Sequence, residues 1–131
     1  MEERSLSIRI APDPGGAGLS CAEAREAARN VLAGLKSSPA GVDDVLTVVS
    51  ELISNADRHA GGATALRITA RSGAVTVEVS DRSPSPPRLQ PWAPDAPGGF
   101  GWRLVNQVAT TDVHIQGNGK TVTATLTGAR T

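Results

Sequence analysis

Three polar side chains recur at every fourth position in "SELISNADRHA", residues 50–60. On a helix, a step of four residues advances about 40° beyond a full turn, so Glu51, Asn55 and His59 form one slowly drifting row. The row borders the apolar stripe of the same helix, at the edge of the buried face, where a pocket would open. The polar residues elsewhere on this segment are predicted to be solvated surface: Ser54, Asp57 and Arg58. Two interpretations stay open: a polar constellation at a pocket, or three ordinary polar residues on a helix flank, helped by a mild Asn to His interaction.

Two further candidates stand where predicted elements end or begin. Asp81 closes a predicted strand, although an aspartate that starts a turn is also common there. Gly99 and Gly101 precede a predicted helix, whose free amides and dipole favour an anion such as phosphate. As plain loop glycines they would need no such role.

The sequence of the first half of the chain predicts one strand and two helices. "SLSIRI" (5–10) alternates polar and apolar residues, as in a strand with one wet face. Ser20 and Glu23 form a capping box before an Ala- and Leu-rich helix that extends to about residue 36. The second helix ends at "HAGG", and its apolar stripe consists of Val42, Val45, Val49, Leu52 and Ala56.

The second half predicts two strand pairs with a helix between them. Residues 64–71 and 74–81 alternate as one pair, and 111–116 and 120–127 form another around Gly117-Asn118-Gly119. Residues 82–98 hold six of the nine prolines and are expected to form a long, functional loop before a helix over 99–110. Helices and strands mix without regular βαβ alternation, which predicts an α/β (α+β) two-layer sandwich with helices on one face.

Composition limits the possible functions. The 131 residues suit a single domain over 1–131, and 39% hydrophobic with 20% charged residues is ordinary for a globular protein. Thirteen basic and thirteen acidic residues leave no net charge, so no direct nucleic-acid partner is expected. Cys21 is the single cysteine, which excludes an internal disulfide and fits a reducing compartment. No apolar run approaches the roughly 20 residues that a bilayer requires, so we expect no membrane partner and a cytoplasmic location.

Residues 42–127 resemble the ATP-binding domain shared by gyrase, Hsp90, histidine kinases and MutL, the GHKL or Bergerat-fold family. The resemblance rests on four segments in the family's order: "ELISNADRHA", "VEVSDRSPSPP", "GGFGWRLVNQVA" and "GKTVTATL". It is closest to the small anti-sigma factor serine kinase branch. The fold implied is a mixed, mostly antiparallel sheet with helices on one face. "GNGKT" (117–121) only mimics the end of a P-loop, because His114 stands where that motif needs a glycine.

The resemblance gives the helical row a magnesium and phosphate role. Asn55 would coordinate Mg²⁺ through its amide oxygen, which is a hard donor suited to a small cation that bridges phosphates. Glu51 would act as general base on a water or a substrate serine hydroxyl. His59 would lie near the phosphates, as a hydrogen-bond donor or as a modest electrostatic aid.

For the other end of ATP, the resemblance implies that Asp81 accepts a hydrogen bond from the adenine amino group and that Thr121 helps to hold the base. Ser83 stands where family members often have glycine. Gly99 and Gly101 would cradle phosphate, and residues 82–98 would form the nucleotide lid. Arg103 replaces another family glycine and would pair with a phosphate, cap the loop or obstruct the pocket.

The implied function is that of an Mg·ATP-dependent regulator. It would transfer the γ-phosphate to a serine of an antagonist protein and sequester a sigma factor, as a homodimer through the first strand and helix. From the resemblance we expect residues 1–41 to be too short for the phospho-accepting region of a histidine kinase, and we expect the ATP domain to extend to the end of this sequence. The alternative is an interaction module with weak or no catalysis, which Arg103 and the missing glycine favour. An autonomous ATPase is a distant third.

Overall fold

A computed structural model describes residues 5–12, 18–34, 39–71, 73–84 and 99–127. Within these ranges the chain forms five strands and three helices. The strands are β1 (Ser5–Ile10), β2 (Ala63–Arg71), β3 (Ala74–Asp81), β4 (Thr110–Gln116) and β5 (Gly119–Thr127). The helices are α1 (Cys21–Ala33), α2 (Pro39–Ala60) and α3 (Gly99–Val108).

Helix α1 starts at the predicted capping box. The Glu23 amide donates to the Ser20 hydroxyl at 3.0 Å, and the Ser20 amide donates to the Glu23 carboxylate at 3.0 Å. Both bonds satisfy amides that have no partner inside the helix, which fixes its first turn. The helix ends at Ala33, before the predicted residue 36, with Gly34 as its C-cap.

Helix α2 begins earlier than its apolar stripe suggested. Pro39 occupies the first position, where a proline loses no hydrogen bond and its fixed φ suits the helix. Residues 39–41 therefore open α2 ahead of Val42, the first residue of the apolar stripe. The helix ends at Ala60, before Gly61 and Gly62, both of which have positive φ.

The five strands form one sheet in the order β1-β2-β3-β5-β4, and every pairing among them is antiparallel. The predicted two-layer sandwich is therefore confirmed, and the described part of the sheet carries no parallel pair. The hairpin between β4 and β5 turns at Gly117-Asn118, with Gln116 paired to Gly119. "GNGKT" thus lies in a hairpin.

Helices cover one face of this sheet. Residues that point to the helices are buried in strict alternation along β3 and β5, for example Val77 and Val79 opposite Ala124 and Val122. They meet an apolar cluster on the helices that includes Val45, Val49, Leu52, Val31 and Val105. No helix among the described residues is long and apolar enough to cross a membrane.

Candidate functional site

Helix α2 carries the polar row away from the core. Glu51 and Asn55 are half-buried, whereas His59, one turn later, is exposed. This is the drift expected when a row advances about 40° with each step of four residues. Only the first two members therefore lie at the edge of the packed face, and His59 lies on the solvent side.

The Asn55 amide is held from one side only. Its Oδ1 accepts a hydrogen bond of 2.9 Å from Nη2 of Arg58, and its Nδ2 is buried without a hydrogen-bond partner among the described residues. A buried donor without a partner costs roughly 1–3 kcal/mol, which an acceptor bound at Nδ2 would offset. Arg58 was predicted to be solvated surface apart from the row. It is exposed, yet its guanidinium binds the row's central residue.

The prediction that Ser54 is solvated surface is wrong. Ser54 is half-buried, and its hydroxyl lies 3.5 Å from the Cys21 thiol on α1. The same thiol donates to the Ser50 carbonyl at 3.6 Å, so this flank of α2 packs against α1. Asp57 is exposed, as predicted.

A buried ion pair lies at the end of β3. Lys120 Nζ is 2.9 Å from Oδ2 and 3.0 Å from Oδ1 of Asp81, and the two side chains are 5% and 3% exposed, respectively. The Ser83 amide donates to the same Oδ1 at 2.9 Å, and Lys120 also donates to the Ser83 carbonyl at 3.3 Å. Asp81 is thus neutralised and fixed, and it is joined to the start of the segment that follows β3.

The strand register explains this pair. Asp81 and Lys120 are direct partners across β3 and β5, and both point to the face that the helices cover. Sequence reasoning did not identify Lys120. The available signal was its position in the inward-facing series of β5, which continues with Val122, Ala124 and Leu126.

Thr121 does not lie beside Asp81. Successive side chains of a strand point to opposite faces, so Thr121 faces away from the helices. There its hydroxyl pairs with the Ser80 hydroxyl at 2.9 Å. On β5, the residue that contacts Asp81 is Lys120.

Glycine allows the backbones to approach closely at this edge of the sheet. A Cβ on Gly119 would lie 2.5 Å from the Asp81 carbonyl oxygen, so a side chain there requires β5 to move. The site therefore depends on glycine at the first position of β5.

The end of α2 and the end of β3 lie at the same edge of the sheet. Only Gly61 and Gly62 separate α2 from Ala63, and Ala63 is the β-sheet partner of Asp81. The Gly62 amide donates to the Ala56 carbonyl at 3.0 Å, which fixes this turn against the helix. The end of α2, the helix that carries the polar row, therefore lies at the sheet edge where Asp81 ends β3.

The predicted phosphate glycines lie in the first turn of α3. This helix begins at Gly99, includes Gly101, and leads to β4 through Ala109 alone. Arg103 is exposed and Trp102 packs against the core cluster. Of the predicted lid, 82–98, residues 85–98 lie outside the described part of the chain.

The described residues contain no group of three or more His, Cys, Asp or Glu side chains that could hold a metal ion. A metal here would need other donors, such as the amide oxygen of Asn55. A small hard cation that keeps several waters is compatible with so few protein ligands.

Comparisons with known proteins identify the fold. Residues 18–126 match the sequence model of the histidine kinase-like ATPase domain. Among solved structures, the chain is similar to the RsbU and RsbW domains of Rv1364c from Mycobacterium tuberculosis, with a TM-score of 0.64 and 20% identity. That match covers 95% of this chain and 34% of the other, so this chain spans about a third of its length. No curated protein matches the sequence.

Proposed function

Because the chain belongs to the histidine kinase-like ATPase domain family, we propose that it binds Mg·ATP where α2, β3 and β5 meet and acts as an anti-sigma-type regulatory kinase. One observation carries this proposal. The polar row on α2 and the carboxylate that ends β3 lie at the same edge of the sheet, with Ala63 as the sheet partner of Asp81. On this proposal residues 1–131 form one domain, with 82–98 as the nucleotide lid.

Asp81 suits the base end of ATP. It is buried and fixed by the Ser83 amide and by Lys120, and the described donors leave acceptor capacity on Oδ2. A fixed acceptor in a buried site favours the exocyclic amino group of adenine over a carbonyl oxygen. Thr121, on the other face of the strand, would support β5 through Ser80.

Asn55 and Glu51 suit the phosphate end. Among the described residues, the Asn55 Nδ2 is buried without a partner and the one group that holds its Oδ1 is an exposed arginine, so the oxygen becomes available as a magnesium ligand when Arg58 turns away. When bound, Mg²⁺ neutralises phosphate charge. Glu51, one turn earlier, would accept the proton of a serine hydroxyl. His59 and Arg103 are both exposed and would reach phosphate oxygens only from the solvent side.

The first turn of α3 would complete the phosphate end. Gly99 and Gly101 place backbone amides there without side chains, which suits an anion at a helix N-terminus.

The partners that fit this function are proteins. The serine acceptor would belong to an antagonist, and the sequestered protein would be a sigma factor, as the resemblance implies. The RsbW-containing neighbour supports a protein partner of a regulatory system. A homodimer through β1 and α1 is part of the same proposal.

A second candidate function is a protein-binding module with little or no phosphoryl transfer. The hydrogen bond from Arg58 to Asn55 Oδ1 favours it, because that bond occupies the proposed magnesium ligand. Transfer to a serine-bearing antagonist separates the two functions. Glu51→Ala should abolish transfer and leave ATP binding intact if the protein is a kinase.

The first experiment is isothermal titration of the protein with ATP, with and without Mg²⁺. Binding should require Mg²⁺ and weaken about tenfold or more in Asn55→Ala and Asp81→Asn, since each removes a bond involving a charged group. Asp57→Ala, exposed on the same helix, and Asp112→Asn, exposed on β4, are matched controls. A wild-type protein that binds no ATP would refute the proposal.

A further inference from the structure

The buried pair fills most of the acceptor capacity of Asp81. A carboxylate offers about four lone-pair positions. Oδ1 receives two hydrogen bonds, from the Ser83 amide at 2.9 Å and from Lys120 at 3.0 Å, whereas Oδ2 lies 2.9 Å from Lys120 Nζ in the ion pair. The described residues therefore leave acceptor capacity on Oδ2.

Lys120 also supplies the counter-charge of this group. Asp81 is 3% exposed, and an isolated charge buried to that extent is costly. Lys120 is the only cation within 4 Å of it in the described part of the chain, and it contacts both carboxylate oxygens.

We propose that Lys120 is a positioning residue that sets base specificity: it holds Asp81 so that the remaining acceptor on Oδ2 meets the 6-amino group of adenine. This inference rests on the proposed ATP-binding function and extends it to a residue that does not itself contact the base. The consequence is a preference for a 6-amino purine over a 6-oxo purine.

Removal of the ammonium should leave Oδ2 unfixed. Without Lys120, the Ser83 amide is the one described donor that still holds the carboxyl, and it does so through Oδ1. Oδ2 is then no longer held towards the base, so the preference for an amino group over a 6-oxo group should fall.

The test compares dissociation constants for ATP and ITP, which differ at position 6 of the base, by titration with Mg²⁺ present. The wild-type protein should prefer ATP by about tenfold or more. Lys120→Met should reduce the ratio to about one. Thr123→Val, on the outward face of the same strand, should keep the wild-type ratio. If Lys120 has a purely structural role, Lys120→Met should weaken the binding of ATP and of ITP equally and leave the ratio of their dissociation constants unchanged.

A second variant keeps the test decisive if Lys120→Met does not fold. In Asp81→Asn/Lys120→Met no charge is buried, and the Ser83 amide selects the amide oxygen at the Oδ1 position. The amide NH₂ then occupies the Oδ2 position and should also abolish the ATP preference. If the wild type binds ATP and every variant that folds keeps the wild-type ratio of the ATP and ITP dissociation constants, Lys120 has no positioning role. The proposed function would still stand. If the wild type binds neither nucleotide, both proposals fail.

Discussion

The Asp81 and Lys120 side chains should be strongly coupled in the folded protein, whatever the protein binds. They are 3% and 5% exposed and 2.9 Å apart, so the energetics of buried pairs apply. Removing one partner leaves an uncompensated buried charge, at a cost of about 3–5 kcal/mol. We expect this cost for Asp81→Asn and for Lys120→Met separately.

Replacing both residues should cost far less than the sum. Asp81→Asn/Lys120→Met buries no charge, and the new amide still accepts from the Ser83 amide. Replacing a buried ion pair by neutral residues often leaves the free energy of unfolding almost unchanged. The coupling energy, which is the difference between the effect of the double variant and the sum of the single variants, should therefore be about 3 kcal/mol or more.

Urea unfolding, followed by far-UV circular dichroism and tryptophan fluorescence, measures this coupling. The chain offers an internal control in the Arg29 and Glu26 pair, which is 3.6 Å apart and 53% and 66% exposed. Arg29→Met should change the free energy of unfolding by at most about 1 kcal/mol, as is usual for exposed pairs. A coupling below about 1 kcal/mol between Asp81 and Lys120 would contradict their burial as a pair.

Three further predictions concern stability and use the same urea titration. Gly119→Ala should lower the free energy of unfolding by about 1–3 kcal/mol, because its Cβ would lie 2.5 Å from the Asp81 carbonyl oxygen. An unchanged urea midpoint would show that β5 can shift to make room. Ser20→Ala should cost about 1 kcal/mol and reduce helical ellipticity, since it removes the N-cap of α1, whereas Ser20→Asp should retain stability. Arg9→Glu should raise the free energy of unfolding by about 0.2–1 kcal/mol, because Arg9 lies directly opposite Arg67. The change replaces repulsion between like charges with attraction between opposite charges. High salt should remove most of that gain, and Arg9→Gln should give about half of it.

Local sequence signals predicted most of the fold because they report contacts within a few residues. The S-x-x-E spacing places the capping box at Ser20 and Glu23, and the structure has both of its hydrogen bonds. Period-two alternation identified the strands, with ends that differ by one residue in β2, β4 and β5. Helix boundaries were less accurate where the apolar pattern does not reach the end of the helix. Helix α2 starts at Pro39, ahead of Val42, the first residue of its apolar stripe.

The Asp81 and Lys120 pair could not be predicted by the same means. The two residues are brought together by the pairing of β3 with β5, and α3 and β4 lie between these strands in the sequence. Alternation alone does place Lys120 on the inward face with Val122. It cannot say which residue of a distant strand lies opposite, since that depends on strand order and register.

The contact between Arg58 and Asn55 illustrates a different limit of sequence reasoning. Helical geometry places residues three apart within reach of each other, so the bond was geometrically possible. An exposed arginine also has water as an alternative partner, and a sequence does not decide between the two. The outcome matters here because Arg58 occupies the one oxygen that the proposed magnesium site needs. Occupation of that oxygen by a cation and by Arg58 is mutually exclusive, so the free energy of breaking this hydrogen bond subtracts from the affinity for Mg·ATP.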